Sequence, residues 1–131
     1  MGKKTSAKIL LVDDSDITRT LLRGILRNAD YEVVGEARDA NQGVDMAQRL
    51  RPDIIFLDIE MPGTSGIDAL PRFREVLPEG AVLMVTGHTE RDMVKAAIEG
   101  GARAYIVKPF NAAKVLDTIE ATLAKVRGKQ P

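Results

Sequence analysis

Five short apolar runs, each followed by a segment of helical periodicity, constrain this chain more than any other feature. Four of the runs stop on polar residues of a narrow chemistry. Ile9-Leu10-Leu11-Val12 stops on Asp13-Asp14, Ile54-Ile55-Phe56-Leu57 on Asp58, Val82-Leu83-Met84-Val85 on Thr86, and Tyr105-Ile106-Val107 on Lys108. These runs do not alternate with polar residues, which is the pattern of strands buried on both faces. Side chains leaving the ends of parallel strands gather along one edge of the sheet. Three carboxylates, a hydroxyl and an ammonium are therefore expected in one place.

The strands are expected at residues 8–13, 31–37, 53–58, 81–86 and 104–107. The first helix, 16–29, repeats Ile17, Leu21 and Ile25 with Leu22 and Leu26 as its apolar stripe. The second opens at Asp39 with Gln42 at capping-box spacing, and Pro52 stops it. The third runs from Ile67 to Leu77 after Gly66, with Pro71 in its first turns where a missing donor is tolerated. The fourth starts near Thr89, with Asp92 at capping spacing, and ends at Gly100-Gly101. Asn111 caps the fifth, whose Val115, Ile119 and Leu123 face inward. This alternation gives an α/β fold, a doubly wound parallel (βα)5 sheet with helices on both faces. The flavodoxin-like strand order 2-1-3-4-5 fits, because the second strand is the most polar and alternating and belongs at an edge. Residues 1–131 read as one domain with a core of about 8–126, frayed polar ends and no room for a second domain.

Composition removes several function classes. Nineteen basic and nineteen acidic side chains cancel, so neither nucleic acid nor a membrane surface is expected as the main partner. No apolar stretch approaches the roughly 18 residues of a bilayer span, and the start has no signal-peptide core. With no cysteine, disulfide and thiolate chemistry are excluded, and the cytoplasm is the expected location. The chemistry falls to carboxylates, hydroxyls, lysines and the single histidine, His88.

Two unit charges about 4 Å apart repel by about 4 kcal/mol at an effective dielectric near 20. Asp13, Asp14 and Asp58 cannot all stay ionised in one pocket without cations. Lys108 supplies one charge and a hard divalent ion, Mg2+, the rest, since Mg2+ takes one or two carboxylates and recruits phosphate oxygens. Such a pocket accepts phosphoryl groups, with Asp58 as nucleophile, Lys108 and the metal neutralising charge, and Thr86 donating to a phosphoryl oxygen.

The ordered motifs Val12-Asp13-Asp14-Ser15, Leu57-Asp58-Ile59-Glu60-Met61-Pro62 with Gly66, Val85-Thr86-Gly87, and Tyr105-Ile106-Val107-Lys108-Pro109-Phe110 carry a resemblance. From Ile9 to Val126 the chain resembles the response-regulator receiver domains of two-component signalling, of the CheY-like single-domain kind. The resemblance implies that Asp58 takes a phosphoryl group from a sensor histidine kinase or phosphotransfer protein. Asp14, Asp58 and the main-chain carbonyl of Glu60 would hold Mg2+, with Asp13 acting through a metal-bound water. Lys108, before a cis bond to Pro109, would clamp the phosphoryl group. Thr86 and Tyr105 would then switch the surface of the fourth helix, fifth strand and fifth helix toward a protein effector, chemotaxis being one such pathway. Glu60 and His88 occupy positions that tune phosphoryl loss in the family, and they are expected to contact each other across the mouth of the site. The chain is thus read as a signalling phosphoacceptor that promotes only its own phosphorylation and dephosphorylation, not as an enzyme.

Each element has a bland reading on its own: Asp13-Asp14-Ser15 a helix cap, Asp58 a loop carboxylate, Thr86 a strand residue, Lys108-Pro109 a turn, Tyr105 core. Their co-occurrence at strand ends argues against coincidence. A phosphorelay intermediate or a phosphate sink is the alternative role. A haloacid-dehalogenase-type phosphatase shares the residue types but usually places its nucleophile after the first strand, with an acid-base Asp two residues on. Here the candidate follows the third strand and is followed at that spacing by Glu60.

Overall fold

The structure is a computed structural model and describes residues 7–128. Ten elements alternate: β1 (Lys8–Val12), α1 (Asp16–Asn28), β2 (Glu32–Ala37), α2 (Ala40–Leu50), β3 (Ile54–Leu57), α3 (Gly66–Val76), β4 (Ala81–Thr86), α4 (Arg91–Glu99), β5 (Ala104–Val107) and α5 (Ala112–Gly128). The five strands are parallel in the order β2-β1-β3-β4-β5, as the sequence pattern implied. Of the ends expected to fray, residues 1–6 and 129–131 lie outside the described residues.

Successive strand side chains point to opposite faces, and that alternation divides the core in two. Leu10, Val12, Ile55, Leu57, Val82 and Met84 pack with Val44, Leu70, Phe73 and Ala97 of α2, α3 and α4. Ile9, Leu11, Ile54, Phe56, Leu83 and Val85 pack with Leu22 and Leu26 of α1 and Val115 and Ile119 of α5. Every residue of β3 and β4 is buried, so these runs show no polar alternation. The edge strand β2 has only one fully buried residue, Ala37.

Four local expectations need correction. Ile17 and Leu21 are 74% and 55% exposed, while Leu22 and Leu26 are buried. Each exposed residue lies five positions before a buried leucine, about 140° around the helix at 3.6 residues per turn, so the stripe is narrower than the sequence suggested. Pro71 is the sixth residue of α3, beyond the donors that a helix start leaves free, and it removes a hydrogen bond to Ile67. The cap of that helix is Ser65, which accepts from Asp68 N at 3.1 Å. Helix α4 begins at Arg91, not near Thr89; Glu90 is its cap residue but makes no side-chain cap bond, its carboxylate lying 3.1 Å from His88 Nδ1. Tyr31 precedes β2 instead of opening it, its N–H donating to Leu26 O at 2.9 Å.

Register fixes where the strands end. Val12 pairs with Leu57, Leu57 with Met84, and Thr86 with Val107. The ladder then runs one residue further: Asp13 N donates to Ala37 O at 3.0 Å, Asp58 N to Val12 O at 3.0 Å and Lys108 N to Thr86 O at 2.8 Å. Backbone bonding thus anchors the polar stops on the rigid sheet, not on free loops.

Candidate functional site

Asp13 and Asp58 are 3% and 4% exposed, whereas Asp14, one step into the β1–α1 turn, is open to solvent. One oxygen from each of the three carboxylates lies within 4.8 Å of the others, the only such acidic group among the described residues able to hold a metal ion. Lys108 reaches in from the end of β5, its Nζ 3.2 Å from Asp13 Oδ2 and 3.4 Å from Asp58 Oδ2. Asp58 Oδ1 accepts from Glu60 N at 3.3 Å, and Asp13 Oδ1 from Ser15 N at 2.8 Å. The peptide between Lys108 and Pro109 is cis.

Burial pushes the Asp58 carboxyl above the ordinary carboxylate value, and the charge of Asp13 adds to the push. The Lys108 ammonium and the Glu60 N–H pull against it without cancelling it. Burial also works against the Lys108 charge, but Asp13 and Asp58 outweigh it and hold the ammonium above the ordinary lysine value. Two buried carboxylates and one exposed one thus face a single cation. That excess of negative charge, made of hard oxygen donors, suits a hard divalent ion.

Gly66 sets the back wall. A Cβ on it would lie 2.0 Å from the Asp58 carbonyl oxygen and 2.8 Å from its carbon, and its N–H donates to Ile59 O at 2.8 Å. The first turn of α3 therefore presses directly on the Asp58 main chain. Beside Asp14 a cleft of about 650 Å³ opens between the β2–α2 and β3–α3 loops, lined by Arg38, Asn41, Pro62 and Thr64 among others.

His88 links the remaining candidates. Its Nε2 lies 2.8 Å from Glu60 Oε2 and its Nδ1 3.1 Å from Glu90 Oε1. Its backbone N–H donates to Thr86 Oγ1 at 3.4 Å, and its carbonyl accepts from Tyr105 Oη at 2.9 Å. The hydrogen bond its ring donates to the Glu60 carboxylate raises the imidazole above its ordinary value; burial opposes this and Glu90 reinforces it. Burial, then the charges of Glu90 and Asp58, raise the Tyr105 phenol. Thr86 is 1% exposed, and Tyr105 is half-buried against the α2–α4 side of the core. The structure thus brings Asp13, Asp14, Asp58 and Lys108 into one cluster. Glu60, His88, Thr86 and Tyr105 form a chain of contacts leading away from it.

One buried group beside the cluster escaped the sequence reading. Arg19 is 9% exposed and donates to the Asp13 main-chain oxygen at 2.6 Å. Its signal was a charge on the apolar side of α1, three and seven residues before the buried Leu22 and Leu26.

Residues 9–120 match the family described as response regulator receiver domain. The chain is 40% identical over 116 residues to the protein CcdB of Bacillus subtilis, covering 88% of this chain and 97% of that one. It is 39% identical over 113 residues to the chemotaxis protein CheY of Listeria monocytogenes, covering 86% and 95%. Among solved structures, the CheX-CheY-BeF3-Mg2+ complex from Borrelia burgdorferi matches at a TM-score of 0.86 with 30% identity, covering 89% of each chain.

Proposed function

We propose that this chain, which belongs to the response regulator receiver domain family, takes a phosphoryl group on Asp58 and signals by contact with a protein partner. Members of that family are signalling proteins, not classical enzymes. The observation that carries the proposal is the cluster itself: three carboxylate oxygens within 4.8 Å of one another, faced by Lys108 at 3.2 and 3.4 Å.

Phosphoryl transfer asks a protein mainly for positioning and charge neutralisation. An Asp58 oxygen forms the new P–O bond as the donor's P–N bond breaks, and the bonding pair returns to the histidine nitrogen of the kinase or phosphotransfer protein. Lys108 binds a phosphoryl oxygen. Asp13, Asp14, Asp58 and the main-chain carbonyl of Glu60 are the groups that would hold Mg2+. When bound, Mg2+ supplies neutralising charge for the phosphoryl oxygens and for the crowded carboxylates. Its presence in the Borrelia CheY complex of the same fold supports this assignment. Self-promoted phosphorylation and dephosphorylation follow from the same groups.

Output runs through Thr86 and Tyr105, which bond the main-chain N–H and C=O of His88. Occupation of the site by a phosphoryl group biases a two-state equilibrium of that connection, altering the α4-β5-α5 face, where Ile98 and Val107 are exposed. The donor meets the opposite rim. Ile17 and Leu21 stand exposed on α1, the helix that begins two residues after Asp14, and offer apolar contact beside the acceptor. Among the described residues no helix is long and apolar enough to cross a membrane. The receiver family match supports reading the chain as one receiver domain that works in the cytoplasm. Chemotaxis is the pathway that the CheY relatives favour.

The test is intact mass after incubation with acetyl phosphate and Mg2+. Wild type should gain one phosphoryl mass, and it should lose that gain in EDTA or as Asp58→Asn. No adduct on the wild type, or an undiminished adduct on Asp58→Asn, would overturn the reading.

A further inference from the structure

A buried guanidinium is costly unless every polar edge of it is used. Arg19 commits each of its three guanidinium nitrogens to one junction. Its NH1 donates to the main-chain oxygen of Asp13 at 2.6 Å, its NH2 to Asp16, and its Nε to Glu36 of β2 at 3.1 Å. Glu36 is shared with Arg23, one turn further along α1. The Asp13 carbonyl belongs to the peptide that joins Asp13 to Asp14. Asp13 is already held on the sheet by its N–H bond to Ala37 O and by Ser15 N and Lys108 on its carboxylate. Asp14 is solvent-exposed, and among the described residues no hydrogen bond to its carboxylate orients it. What sets its direction is the peptide plane that Arg19 grips.

We infer that Arg19 is a positioning residue of the metal site. By fixing the Asp13–Asp14 peptide against α1 and β2, it aims the Asp14 carboxylate into the cluster with Asp13 and Asp58. This rests on the Mg2+ reading of that cluster. Groups that orient metal ligands from behind typically change affinity by about 10- to 100-fold when removed.

The sign of the effect separates this role from the alternatives. Arg19 is a cation near a cation site, so simple electrostatics makes its removal tighten Mg2+ binding. A purely structural tie between α1 and β2 lowers thermal stability without changing affinity in the protein that remains folded. Positioning alone makes the loss of a cation weaken the binding of another cation.

The experiment is calorimetric Mg2+ titration of the unphosphorylated full chain, with thermal unfolding in EDTA as the stability readout. Arg19→Ala should weaken Mg2+ binding about tenfold or more. Arg19→Lys, which keeps the charge and the fold but lacks the planar fork, should weaken it in the same direction. Arg23→Ala loses an equal charge and the same Glu36 partner without touching Asp13, and it should bind Mg2+ as tightly as wild type or tighter. Unchanged or tighter binding by Arg19→Lys and Arg19→Ala overturns the inference, as does equal weakening in Arg23→Ala. A wild type that fails to bind Mg2+ overturns the metal reading itself, an outcome distinct from these.

Discussion

Gly66→Ala is the sharpest single perturbation of the acceptor that leaves every chemical group in place. The added Cβ would sit 2.0 Å from the Asp58 carbonyl oxygen, and real contacts of this kind do not fall below 3.0 Å. The first turn of α3 and the Asp58 main chain must therefore part by about 1 Å, a displacement that can cost about 100-fold in a positioned reaction. Neither side yields easily. Asp58 N is bonded to Val12 O at 3.0 Å, and Gly66 N to Ile59 O at 2.8 Å. Overpacking of this kind costs about 1–3 kcal/mol against a typical 5–15 kcal/mol of total stability, so the variant should fold with a lowered Tm. The assay is the rate of phosphorylation by acetyl phosphate at fixed Mg2+, with unfolding measured alongside. Gly24→Ala is the control: nothing lies within 4 Å of its added Cβ, and α1 should gain about 0.5–1 kcal/mol with no change in rate. Wild-type rate and stability in Gly66→Ala would refute the reasoning that this helix start sets the position of the acceptor.

Lys108→Ala should slow phosphorylation by acetyl phosphate about 100-fold or more, the usual loss when one preorganised charge donor is removed, without preventing folding. In EDTA at pH 7, Asp58→Asn should raise the Tm by a few degrees. Because the folded Asp58 pKa is raised, its ionised form costs stability above that pKa, and the cost disappears as pH falls below the unfolded value of about 3.9. Thermal melts across that range should show the advantage of the variant shrinking, and an advantage that grows toward acid would contradict the assignment. His88→Ala and Glu60→Gln should each speed decay of the phosphoryl group by opening the mouth, with the double variant no faster than the singles. Since the Glu60 bond raises the His88 pKa, the wild-type lifetime should shorten as pH rises through that pKa. Ile17→Ala with Leu21→Ala should reduce transfer from a phosphorylated histidine kinase and leave acetyl phosphate reactivity intact, as competing time courses with the two donors would show.

The strand order and the cluster were legible because the signals that carry them are long-range in effect but local in sequence. A run such as Ile54-Ile55-Phe56-Leu57 has no polar alternation because both of its faces are covered, and that alone puts Asp58 at a buried strand end. The polar, alternating β2 announced itself as an edge for the converse reason. What was not legible depends on angles and on competition. Ile17 and Leu21 match helical spacing with Ile25, yet the sheet covers only the sector around Leu22 and Leu26. At the start of α4, Glu90 takes the cap position while its carboxylate lies against His88, a contact that capping spacing does not reveal. Arg19 was hidden because its partners Asp13 and Glu36 come from two other segments, and no local pattern ties them to it.

The most direct test of the account is chemical trapping of the phosphorylated residue. Wild-type protein treated with acetyl phosphate and Mg2+ is reduced with borotritide, which labels an acyl phosphate at its own carbon, then digested and sequenced. Tritium should appear at position 58 alone and only when Mg2+ is present. Label at Asp13 or Asp14, at some other residue, or at no residue would contradict that assignment.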